Sequence, residues 1–168
     1  MGIPRVLAAA FVAAVVAAPA AAQQRAAPES VVATLRAAPV HACDTFAANP
    51  LDPGRVVPGV QTAQIDTRRA IAACIEAVDL FPAELRFQFQ LGRAYRQAGQ
   101  YDEAFRWYSA AANGGYAGAQ NSLGVMYSRG EGVSQDCDEA AKWMGRAAAQ
   151  GYAVAISNLR TLRCVRVV

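Results

Sequence analysis

Apolar and small residues along this chain fall into two copies of one pattern. Leu91, Ala94 and Tyr95 recur at i, i+3, i+4, and Ala104, Trp107, Tyr108 and Ala111 keep the same rhythm one helix later. Leu91-Gly92, Tyr95, Ala104, Trp107, Ala110-Ala111-Ala112 and Gly115 have counterparts in Leu123-Gly124, Tyr127, Ala140, Trp143, Ala147-Ala148-Ala149 and Gly151. The offset is 36 from Ala104 to Ala140 and from Gly115 to Gly151, but 32 from Leu91 to Leu123. The difference falls on a Gly-rich turn, Arg129-Gly130-Glu131-Gly132-Val133, present only in the second copy. A fixed period with length variation confined to a loop predicts a helical solenoid. Each copy is two short helices, neither able to bury its stripe alone.

Small residues (Gly92, Ala104, Ala111 and their equivalents) mark close backbone approach, and Tyr95, Trp107, Tyr127 and Trp143 are read as filling space between layers. A ligand-stacking role for the aromatics is the alternative. Gly92 and Gly124 lie mid-helix, where glycine costs about 1 kcal/mol relative to alanine, so a packing reason is expected. Upstream, Ile65, Ala70, Ala73-Cys74, Ala77 and Val78 predict a helix starting near Asp66 or Thr67. Ala70 and Ala77 stand 34 residues before Ala104 and Ala111, so this is the second half of an earlier unit. Its first half is replaced by a Pro- and Gly-rich stretch. Downstream, 153–159 restarts a first helix, with Leu159 matching Leu91 and Leu123.

The second copy, from Ala119-Gln120 through Leu123-Gly124-Val125-Met126-Tyr127, Gly130-Glu131-Gly132-Val133, Asp136, Glu139-Ala140, Trp143 and Arg146-Ala147-Ala148 to Gly151, resembles the Sel-like repeat of the tetratricopeptide superfamily. The first copy lacks the insertion and is closer to a plain tetratricopeptide unit. The resemblance implies an all-α fold, a short right-handed α-solenoid of antiparallel helix pairs with disulfide-stapled caps. The expected organisation is a signal peptide at 1–22, a flexible linker at 23–42, a turn-rich N-terminal cap at 43–63 and a helical repeat domain at 64–164. Within the last lie a half unit at 64–82, a tetratricopeptide-like unit at 84–115, a Sel-like unit at 117–151 and a terminal half-repeat at 153–164. Residues 165–168 are a tail. The segment before the repeats resembles N-terminal extensions of exported bacterial Sel-like proteins.

The first residues have their own pattern. Arg5 precedes an apolar run from Val6 to Ala18, broken by Pro19 and followed by Ala20-Ala21-Ala22, which reads as a secretory signal cleaved before Gln23. The run is short for spanning about 30 Å of hydrocarbon, so no stable membrane insertion is expected after cleavage. The expected location is the periplasm or the medium. Four cysteines in an oxidising compartment suggest disulfides, with three pairings open. Contact between sequence-adjacent layers alone favours Cys43–Cys74 and Cys137–Cys164. A metal site has no CxxC spacing and one histidine to draw on, so none is expected.

Of 16 basic residues, removing Arg5 leaves 15 against 13 acidic, a formal +2. That balance is too mild to argue for nucleic acid or a membrane surface. No phosphate loop or dinucleotide fingerprint implies a cofactor, and His41, the lone imidazole, has no supporting triad motif, so no enzyme is expected. In tetratricopeptide units the concave face takes positions that here fall on Arg86, Phe89, Gln90, Arg93, Arg96 and Gln97, then Asn121, Ser122, Val125 and Arg129, then Ser157 and Asn158. Arginines and amides lining a groove suit an extended peptide or an acidic C-terminus, with Arg86, Phe89, Gln90, Arg93, Arg96, Asn121, Arg129 and Asn158 as the binding set. A solvated helix face is the competing reading. On the groove reading Arg93→Ala weakens a partner while barely moving Tm. The resemblance implies a protein–protein interaction module. A structural subunit using the Val165–Val168 tail is the alternative. So is a weak β-lactam-binding or β-lactam-hydrolysing protein, although the complete repeats lack the paired cysteines of that type.

Overall fold

The structure is a computed structural model that describes residues 38–163. The expected signal peptide, most of the expected linker, Cys164 and the expected tail lie outside the described residues. Seven α-helices and one 3-10 turn follow each other, and no strand occurs among the described residues: α1 (Ala42–Ala47), the turn Thr62–Gln64, α2 (Thr67–Leu80), α3 (Leu85–Gln97), α4 (Tyr101–Asn113), α5 (Ala117–Arg129), α6 (Cys137–Ala149) and α7 (Ala153–Thr161). From α1 to α7 each helix packs on the next, and α1 also packs on α3. That nearest-neighbour contact is what a solenoid requires.

Local chemistry sets the helix ends. Asp66 accepts from Arg69 N at the start of α2, and Asp136 accepts from Asp138 N and Glu139 N at the start of α6. Asp102–Glu103 and Asp138–Glu139 occupy first turns, where carboxylates meet the positive end of the helix dipole. α5 ends on Gly130 in the left-handed conformation at φ 69°. Gly132 follows at φ 67°, where a Cβ would lie 2.5 Å from the Tyr101 carbonyl oxygen, so the inserted turn is seated directly on the start of α4.

The core lies between layers. Cys43, Ala47, Ile65, Ala70, Cys74, Ala77, Val78, Phe87 and Leu91 close the first interlayer space; Phe89, Ala104, Tyr108, Ala111, Leu123, Met126 and Trp143 close the second. Ala147, Tyr152 and Ala155 begin the third. The mid-helix glycines have the expected packing reason. A Cβ on Gly92 would meet the Tyr108 ring at 2.7 Å, and one on Gly124 would meet Met144 Cγ at 2.7 Å and the Ala140 carbonyl oxygen at 2.9 Å. Tyr95, Trp107 and Tyr127 are only half-buried. The interlayer volume is filled instead by Tyr108, Phe87, Phe89, Leu91, Leu123, Met126 and Met144.

The Cys43–Cys74 disulfide is present and ties α1 to α2, with both cysteines fully buried. For the expected Cys137–Cys164 bridge, Cys137 opens α6 and is not free. Helix α7 stops at Thr161, before Cys164. The cap also begins earlier than the boundary at Cys43. His41 accepts from Cys43 N while Asp44 accepts from His41 N at 3.0 Å, a reciprocal cap that orders α1 from residue 41. The stretch from 49 to 60 turns on Asn49 and Asp52, whose side chains accept from Leu51 N and Gly54 N, and is closed by Val60 N donating to Ala48 O at 2.7 Å.

Candidate binding face

Helix α3 carries Arg86, Gln90 and Arg93 on the stripe expected to face the concavity, and the structure gives that stripe to the chain's own cap. Arg86 Nε donates to Asp44 Oδ1 at 3.1 Å, and Nη2 donates to the carbonyls of Ala38 and Pro39 at 2.9 and 2.8 Å. Its Nη1 lies 3.0 Å from Glu84 Oε2. Gln90 Nε2 donates to the same Asp44 Oδ1 at 2.9 Å. Arg93 donates to Ala47 O at 2.8 Å, Val60 O at 3.0 Å and Thr62 Oγ1 at 2.9 Å. All three side chains are buried, as is Asp44. The expectation that Arg86 and Gln90 stand open to a partner is therefore corrected. A cap threaded through the first layer satisfies their donors, because a buried guanidinium must find acceptors.

Phe89 is a second correction. It is fully buried between layers, with its ring 5.8 Å from that of Tyr108 and 5.2 Å from that of Tyr116. Gly118 lies so close that a Cβ there would touch Phe89 Cζ at 3.0 Å. It is a core residue.

The remaining members of the set gather further along the face. Arg96 forks onto Glu131, with Nε to Oε2 at 2.7 Å and Nη2 to Oε1 at 3.1 Å. Exposed Arg129 reaches the same carboxylate at 3.5 Å. Burial pushes the Glu131 carboxyl up, but the hydrogen bonds and charges of Arg96 and Arg129 reverse this and hold it below the ordinary glutamate range. The insertion that distinguishes the second copy thus returns a carboxylate to the concave side, a role its reading as a loop did not give it. Asn158 Nδ2 donates to Asn121 Oδ1 at 2.8 Å, joining α7 to α5. Gln150 donates to Gln120 Oε1 at 2.8 Å and Gln120 to Ala112 O at 3.2 Å, a second amide link between layers.

Between cap and layers remains a cavity of about 140 Å3, lined by Asn49, Thr62, Arg93, Arg96, Tyr108, Asn121, Ser122 and Val125. Tyr108 is buried, and its hydroxyl is pushed up to about 12 by that burial, against the opposing pull of Arg96, Arg93 and Ser122. On the far side, Tyr116 donates a short hydrogen bond to Asp52, so the cap is anchored to the start of α5 as well as to α3. Sequence reasoning missed Asp44, Asp52 and Glu131. The signal for the first two was present: an acid directly after Cys43, and an Asp-Pro-Gly turn nine residues after Cys43.

Helix pairs stacked layer on layer, with a polar concavity, define a helical repeat protein of the tetratricopeptide-like class. A family model of the Sel1 repeat matches residues 86–116 and 117–152. The chain carries two Sel1 repeats, and the first copy is one of them despite lacking the inserted turn. No curated protein matches the sequence significantly. Sel1 repeats mediate protein–protein interaction.

Proposed function

We propose that this chain is an exported, non-catalytic interaction module that binds a peptide or an envelope protein on the part of its concave face left open by the cap. The observation that carries this reading is the polar mouth between cap and second layer, where Arg96, Asn121 and Ser122 face one cavity while the first layer is already filled by the chain's own residues 38–62. Such a filled layer narrows the binding set to Arg93, Arg96, Asn121, Arg129 and Asn158. Export is supported by the pattern of residues 1–22 and by the buried Cys43–Cys74 disulfide.

Two measurements test the reading. N-terminal sequencing of protein recovered outside the cytoplasm should begin near Gln23; a full-length, membrane-retained chain overturns export. A partner captured from the envelope fraction should be lost with Ser122→Trp, which fills the mouth, and kept with Arg146→Ala. Arg146 is exposed on α6, its guanidinium 4.4 Å over the Trp143 ring and outside the cavity lining. Equal behaviour of the two variants removes the concave face from the proposal.

A further inference from the structure

The cap's disulfide leaves a buried amide oxygen, that of Gln90, without a donor. Gln90 is 1% exposed, and Asp44 orients its side-chain amide. A carboxylate only accepts, so Nε2 must face it, as it does at 2.9 Å. Oε1 is thereby turned the other way, where it lies 3.0 Å from Cys43 Sγ. That sulfur is bonded to Cys74 and carries no hydrogen. Among the described residues no N–H or O–H donates to Gln90 Oε1. A fully buried oxygen left in this state costs its desolvation, and folded proteins hold few of them.

Reduction supplies the missing donor. A dithiol passes two electrons and two protons to the pair: the Cys43–Cys74 bond breaks, each sulfur gains an S–H, and the dithiol closes its own disulfide. The new Cys43 thiol then sits at hydrogen-bond distance from an acceptor already aimed at it. An S–H is a weak donor, but in this buried place Oε1 has no other. Cys74 lies in the apolar cluster with Ala70, Ala77, Val78 and Leu91, where a thiol packs as a small apolar group. The cap's polar contacts do not pass through the cross-link. Asp44 keeps Arg86, Arg93 keeps Ala47 O, Val60 O and Thr62 Oγ1, and Asp52 keeps Tyr116.

We propose that Cys43–Cys74 is a reversible redox site for dithiols, in which Gln90 is the positioning residue that holds the reduced Cys43 thiol and keeps the cap seated. The cap then has two closed states, one cross-linked and one hydrogen-bonded, and the redox state sets how readily it opens. This goes beyond the interaction-module reading and does not depend on it.

The test uses the full mature chain. Reduction of the pair is equilibrated against dithiothreitol, and its extent is read by alkylation and mapping of the peptides that carry Cys43 and Cys74. Gln90→Met keeps the length of the side chain and removes both polar ends. The donor lost to Asp44 weighs on both redox states and cancels, whereas the acceptor for Cys43 serves only the reduced one. The equilibrium constant for reduction should fall about fivefold or more in Gln90→Met; an unchanged or raised constant overturns the proposal. Two single variants read the same contact without a redox couple. Cys74→Ala leaves the Cys43 S–H to meet Gln90, and Cys43→Ala leaves Oε1 unpaired. The ratio of their folding constants in urea should drop about fivefold when Gln90→Met is added to both, because the cavity of each truncation cancels in that cycle. A ratio that does not move sinks the role of Gln90. Should Gln90→Met fail to fold, the infrared S–H stretch of Cys43 in Cys74→Ala decides. Absorption at the low frequency of a hydrogen-bonded thiol is expected, and the frequency of an unbonded thiol overturns the assignment.

Discussion

At the scale of single residues, three glycines and a tyrosine separate effects that composition alone runs together. Gly92 and Gly145 are both mid-helix glycines, and helix propensity favours alanine at each by about 1 kcal/mol. A Cβ at Gly145 meets nothing within 4 Å, while one at Gly92 strikes the buried Tyr108 ring. Gly145→Ala should therefore stabilise by about 0.5–1 kcal/mol, and Gly92→Ala should destabilise by about 1–3 kcal/mol, as overpacking does. Denaturant unfolding of the two variants reads both signs. Gly124, against Met144 and the Ala140 carbonyl, should behave as Gly92 does. Tyr108 makes a pH prediction. Its folded-state pKa of about 12 stands above the ordinary 10.0. Between those values the unfolded chain has lost the proton and the folded chain has kept it. Stability is thus full below pH 10 and falls as pH rises through the window, by about 1.4 kcal/mol per unit. Tyr152 is likewise raised to about 12, chiefly by burial. Tyr108→Phe should flatten the alkaline limb of the stability curve by one tyrosine's share, and an unchanged limb would count against burial as the cause.

At the scale of elements, the cap and the inserted turn decide what the repeats can do. The cap is held by the disulfide, by the Asp44 cluster, by Arg93 and by the Asp52–Tyr116 bond. Replacing Cys43 and Cys74 together by alanine removes a cross-link of sequence separation 31, worth roughly 3–4 kcal/mol in the chain-entropy picture. Amide hydrogen exchange should then show residues 38–66 losing protection before α5 and α6. Uniform loss across all layers would mean the cap is not a separate unit. Arg86→Ala strands Asp44, which is fully buried, and should cost about 3–5 kcal/mol. Arg93→Ala likewise lowers Tm, contrary to the sequence expectation, since it frees three cap contacts. The inserted turn acts differently. Glu131 is held below the ordinary glutamate range, so its pairing with Arg96 contributes above about pH 4.3 and fades as pH falls through the folded-state value. The stability difference between wild type and Glu131→Gln should be constant near neutrality and shrink in acid.

At the scale of the whole molecule, the layers were legible because a period is a global property that survives local ambiguity. Leu91, Leu123 and Leu159 mark three successive first helices, and Ala70, Ala104 and Ala140 mark three second helices. Arg86, Gln90 and Arg93 do share one face of α3, the face that packs against the cap. What the pattern could not show is what already fills it. The acceptors for Arg86 and Arg93 are mostly backbone carbonyls of Ala38, Pro39, Ala47 and Val60, between 33 and 48 residues away. Backbone carbonyls have no letter in a sequence, and a turn-rich stretch has no period that reveals its fold. Phe89 was misplaced for a related reason. A one-residue rotation on a helix separates groove from core, and only Gly118 opposite it, letting the ring in, settles the side.

The burial of both Cys43 and Cys74 has a chemical corollary. A thiolate reductant attacks sulfur in line and needs access to it, so it cannot reach this pair until the cap lifts. Reduction of the native protein should consequently be first-order in protein and independent of reductant once reductant is abundant. The plateau rate is then the rate at which the cap departs, and trapping the released thiols with an alkylating reagent times that departure one molecule at a time.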